Sequence, residues 1–150
     1  MNKNESYENV SNIERYLRKI DYIIRKKGRA ILADFNITVP QFSALQILIN
    51  QGNMTIGELS QHMALACSTI TDLVDRMEKA DLVVRKKHDK DKRVVIVEAL
   101  PKGYDILEKV MSKRIEFLSG KLSDFEDDAK SRLDLGLKAL YEAMKDETQD

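Results

Sequence analysis

Two short stretches hold most of the side chains able to do chemistry. The first runs from 68 to 76, where Ser68, Thr69, Thr71, Asp72 and Arg76 crowd hydroxyls, a carboxylate and a guanidinium together. The second is RKKHDKDKR, residues 85–93, in which Arg85, Lys86, Lys87, Lys90, Lys92 and Arg93 face only Asp89 and Asp91, six positive charges against two negative. These groups form no nucleophile-base arrangement, glycine-rich phosphate loop or paired-carboxylate signature, so no enzyme chemistry is expected. Their chemistry is recognition. Hydroxyls and guanidinium groups bond phosphate oxygens or base edges, threonine methyls touch thymine, and a cationic cluster attracts a polyanion.

The whole chain hides this, because its 25 basic residues cancel 25 acidic ones. From 116 to 150 the balance reverses, with ten acidic residues against five basic. A split of this kind points one surface at a polyanion and keeps another away from it.

Cys67 is the only cysteine of the 150 residues, which rules out an intrachain disulfide and favours a reducing, cytoplasmic setting. In the first turn of a helix its thiol is a candidate redox switch, although a small, partly buried, inert cysteine is the plainer reading. His62, His88 and Cys67 show no standard ligand spacing, and no metal or cofactor is expected. MNKNESYENV lacks the apolar run of a signal peptide, and no stretch approaches the roughly 20 apolar residues of a membrane span. One domain over 1–150 is expected, with loose ends only at the polar start and the ETQD tail.

The elements that must position the two stretches follow from periodicity. Ile13, Leu17, Ile20, Ile24 and Ile31 predict a long amphipathic helix at about 8–35, with Ser11 and Glu14 spaced as a capping box. Thr38 and Gln41 repeat that spacing ahead of a helix ending at Gln51-Gly52-Asn53, and Thr55 with Glu58 opens a short helix over Ile56 to Met63. After Ala64-Leu65-Ala66, a helix from about Cys67 to Ala80 carries Ile70, Leu73, Val74 and Met77 on one stripe. Ser68, Asp72, Asp75 and Lys79 fall opposite, with Thr69, Thr71 and Arg76 on the flanks. LVVRKK and KRVVIVEAL, joined by HDKD, predict a hairpin. Helix resumes over about 103–147, with Gly120 marking a kink or a break. The fold class is therefore mainly α with a small β-hairpin wing. A helix-turn-helix at about 55–78 and a wing at about 82–100 are flanked by terminal helices. In that arrangement the free face of the second helix reads the major groove, and the cationic tip lies beside or inside the minor groove.

The chain resembles the MarR family of transcriptional regulators over nearly its whole length. The resemblance rests on Thr38-Val39-Pro40-Gln41-Phe42 with Leu45, on Ile56-Gly57-Glu58-Leu59, and on Ser68-Thr69-Ile70-Thr71. It continues through Leu73-Val74-Asp75-Arg76-Met77-Glu78, Asp91-Lys92-Arg93 and Gly103, the run Leu73 to Glu78 followed by Asp91-Lys92-Arg93 being the most specific. It implies a homodimer joined through the terminal helices, a pseudo-palindromic operator in double-stranded DNA, a repressor role, and small, often aromatic or anionic effectors. It also implies that Asp75 braces the wing by pairing with an arginine there, assigned to Arg93. Asp72, His88-Asp89 and Pro101 depart from the family pattern. Asp72 is open between accepting a hydrogen bond from a cytosine N4 amino group and simply weakening non-specific binding. Two rival readings are a winged-helix protein-interaction module and a thiol-based redox sensor acting through Cys67.

Overall fold

The computed structural model describes residues 3–148. The ends of the expected loose termini, Met1-Asn2 and Gln149-Asp150, lie outside them. Two compact units are present, one ending at Arg114 and the other beginning at Ile115.

Helix α1 spans Lys3–Asp34. It does not start at Ser11, which lies two turns inside it; no glycine or proline interrupts residues 3–10, and Tyr7 and Val10 carry the apolar spacing further back. Helix α2 (Val39–Gln51) and helix α3 (Ile56–Met63) start where their sequences say they should. Both capping boxes are complete: Gln41 N–H donates to Thr38 Oγ1 while Thr38 N–H donates to Gln41 Oε1, and Glu58 and Thr55 repeat the exchange. Gly52, at φ 99°, closes α2.

Helix α4 (Cys67–Lys79) follows α3 after a tight link. Three helix ends close alike, each on a non-glycine residue in the left-handed region. Ile37 N–H reaches Leu32 O past Asn36, Leu65 N–H reaches Ser60 O past Ala64, and Leu82 N–H reaches Met77 O past Asp81.

Strands β1 (Val83–Lys87) and β2 (Val95–Ala99) pair antiparallel, with Val83 opposite Ala99 and Arg85 opposite Val97. Val97 also exchanges two backbone bonds with Met54, which fastens the hairpin to the segment before α3. The turn between the strands is longer than HDKD and takes in Lys92 and Arg93. Its cause is local: Asp91 Oδ1 accepts the Arg93 N–H at 3.1 Å, an Asx turn that competes with strand pairing. His88 N–H donating to Val94 O at 2.8 Å closes the loop.

The core of the first unit is fully buried at Leu45, Leu59, Ile70, Val74, Met77, Val83 and Val97. Helix α5 (Pro101–Lys121) adds Ile106 and Val110 to it. Gly103 is required there: a Cβ would lie 2.6 Å from Leu82 O and 2.9 Å from a Leu45 methyl. Gly120 stays within α5, and the break follows it, at 122–126. Helix α6 (Asp127–Met144), with Asp127 and Asp128 in a first turn that favours negative charge, leads into a 3-10 turn at Lys145–Thr148. No helix among the described residues is long and apolar enough to cross a membrane.

Candidate nucleic-acid interface

Burial of Ile70, Val74 and Met77 fixes the rotation of α4, so the opposite face is presented in one orientation. Ser68, Thr69, Thr71, Asp72 and Arg76 are all exposed on it. Thr71 Oγ1 donates to Cys67 O at 2.9 Å, which leaves its hydroxyl outward only as an acceptor. Unlike α2 and α3, α4 begins at Ala66 without a side-chain cap, so its first-turn N–H groups carry their partial positive charge uncovered beside those hydroxyls.

The cations of the hairpin fall into two groups. Arg85 points to α4, where Nη2 donates to Asp75 Oδ1 and Nη1 to Glu78 Oε2 at 3.0 Å. Its orientation follows from the strand period: Arg85 shares a face with Val83 and stands opposite Val97, both on the core side. The hydrogen bond to Asp75 is the main reason that its guanidinium is held above its ordinary pKa, so Arg85 stays charged throughout. The bracing arginine is therefore Arg85 and not Arg93, as the resemblance implied. Arg93 sits in the tip, 91% exposed, and bonds Asp91 at 3.1 Å. That bond raises the Arg93 pKa and lowers the Asp91 one, which keeps the Asx turn ionised.

Lys86 lies on the other face of β1 and bridges to Glu98 at 2.9 Å. Lys87, Lys90 and Lys92 are exposed and, like Arg76 on α4, have no ion-pair partner among the described residues. Sequence reasoning missed Glu78 as the second carboxylate of the brace. Its signal was present, since Asp75 and Glu78 are three apart on one helical ridge.

Cys67 is at the surface rather than partly buried. Its Sγ lies 3.3 Å from Ser60 Oγ, whose own proton goes to Gly57 O at 2.7 Å.

The MarR family model matches residues 37–95, which run from the start of α2 into the wing. An uncharacterised HTH-type transcriptional regulator of Bacillus subtilis, YsmB, is 48% identical over 138 residues, covering 92% of this chain and 94% of that protein. The chain belongs to the MarR family. A MarR family protein from Bacillus stearothermophilus has the same architecture, with a TM-score of 0.82 and 41% identity over 97% of this chain and 99% of its own. The transcriptional regulator Tm0710 from Thermotoga maritima gives 0.78 and 33%, over 93% and 99%. This MarR protein is thus a DNA-binding transcriptional regulator and not an enzyme. In MarR terms α3 and α4 are its helix-turn-helix and β1-β2 its wing.

Proposed function

We propose that this regulator is a cytoplasmic homodimeric repressor that binds a pseudo-palindromic operator, with α4 in the major groove and the wing tip on the adjacent minor groove. The observation that carries the reading is the α4 face itself. Its rotation is locked by a buried stripe and by the Arg85 brace, while Ser68, Thr69 and Arg76 stand exposed beside an uncapped helix start. Lys87, Lys90, Lys92 and Arg93 supply phosphate and minor-groove contacts, and Lys86 reaches the backbone once it parts from Glu98. Arg85 acts through α4 rather than through DNA.

The dimer reading is supported by apolar side chains left uncovered on the terminal helices. On α1 they include Ile13, Ile20 and Ile24, and on α6 Leu133, Leu137 and Tyr141, each at helical spacing and each at least 37% exposed. A stripe of that length exposed to water favours a second copy. Two recognition helices must then match half-sites about one turn apart, roughly 34 Å. A dimer covering that much duplex excludes polymerase from it, so repression is the direct outcome. A small aromatic or anionic ligand that prefers another spacing would release it.

Selection of bound duplexes from a random pool tests this reading. A two-fold motif with half-sites about one turn apart is expected. Recovery of single, unpaired half-sites would remove the dimer, and loss of salt-sensitive binding altogether would favour a protein-docking module. The exposure of Cys67 supports a second reading, a thiol-based redox sensor. Unchanged response of operator binding to peroxide in Cys67→Ser would eliminate it.

A further inference from the structure

We propose that Asp72 reads a cytosine, accepting a hydrogen bond from its N4 amino group in the major groove, and thereby sets part of the operator sequence. The inference rests on the reading above that α4 enters the major groove.

Three carboxylates belong to α4, and the structure treats them differently. Asp75 and Glu78 are both bonded by the Arg85 guanidinium, which they share. Asp72 is exposed and has no ion-pair or hydrogen-bond partner among the described residues. Arg76 lies one turn on, at the spacing that favours a pair, yet no bridge joins them. The neighbouring Thr71 hydroxyl sends its proton back to Cys67 O and does not shield the carboxylate either.

A bare carboxylate brought between two rows of phosphates loses hydration and meets like charge. That cost is recovered only where the groove floor offers an N–H. Guanine and thymine present acceptors there, so they repel it. Adenine and cytosine each present an amino group, but adenine sets an N7 lone pair beside it, against the second carboxylate oxygen. Cytosine has no such neighbour, and it is the ordinary partner of an acidic side chain. The same charge disfavours every duplex that lacks a cytosine at that place, so Asp72 adds discrimination by repulsion as well as by attraction.

The test is random-pool selection with the wild-type dimer, Asp72→Ala and Asp72→Asn at one salt concentration. Wild type is expected to fix one cytosine per half-site. Asp72→Ala should relax that position alone, weaken operator binding about tenfold, and bind random duplex more tightly. Asp72→Asn should move the preference there to adenine, because a carboxamide pairs with N6 and N7 together. Identical base preferences in all three proteins would overturn the assignment while leaving the DNA reading intact. Failure of the wild-type protein to select any motif would sink the DNA reading, and this inference with it.

Discussion

Helices α4 and α6 are both amphipathic, 13 and 18 residues long, yet only one of them is finished within the chain. α4 buries Ile70, Val74 and Met77 completely, whereas α6 buries no residue and leaves Leu137 at 50% exposure and Tyr141 at 65%. The difference teaches that an apolar stripe states a need for cover without saying where the cover comes from. For α4 that need is met by the chain's own α2, α3 and hairpin. For α6 it is met, on the proposed reading, by a second copy.

The largest expected effects would break this contrast. Ile70→Ala should lower unfolding stability by about 2–5 kcal/mol, measured by urea denaturation, with the loss present at every protein concentration. Leu137→Ala should instead act through association, so its destabilisation should grow on dilution and appear in sedimentation as a shift toward monomer. A concentration-independent loss in Leu137→Ala would show that α6 packs within its own chain and would remove the contrast.

Next in size is the wing, where base and tip differ as α4 and α6 do. Arg85 is 28% exposed and held by two carboxylates, while Lys90 is exposed and without an ion-pair partner among the described residues. Arg85→Ala should cost about 1–2 kcal/mol of stability, at the lower end for a charge-assisted pair that water partly reaches. It should also weaken operator binding severalfold, with the salt slope unchanged. Lys90→Ala should leave stability alone and reduce the slope of log affinity against log salt by about 0.9. A lowered slope in Arg85→Ala would return Arg85 to the phosphate contacts.

The sequence made the winged core legible where local chemistry and global packing agree. Two capping boxes, Gly52 and the 70-73-74-77 stripe placed α2, α3 and α4 to within a residue or so. The exposed side of α4 followed from the same period. It failed where a local bond outweighs a propensity. The Asp91 side chain takes Val94's neighbour Arg93 into a turn despite the β-branched run that follows, and the helical residues before Ser11 override a plausible cap. The brace was misassigned because choosing between Arg85 and Arg93 needs the strand's facing, which becomes fixed only when Val83 and Val97 meet the core.

The smallest effect concerns the joint that aims α4. Ala64 adopts φ 53°, ψ 41°, a left-handed conformation that costs an L-residue about 1–2 kcal/mol. Glycine relieves that cost but loses more entropy on folding, by about 0.5–1 kcal/mol. Ala64→Gly should therefore stabilise the fold by about 0.5–1 kcal/mol, raising Tm by roughly 1–4 °C. Operator affinity should not change, because the Leu65 N–H still reaches Ser60 O and sets the same angle between α3 and α4. A fall in Tm would mean that the alanine methyl contributes packing at the joint that outweighs its strain. A change in affinity at higher Tm would mean that α4 is aimed by that methyl as well as by Arg85, and that the recognition helix is less completely fixed by its buried stripe than its contrast with α6 implies.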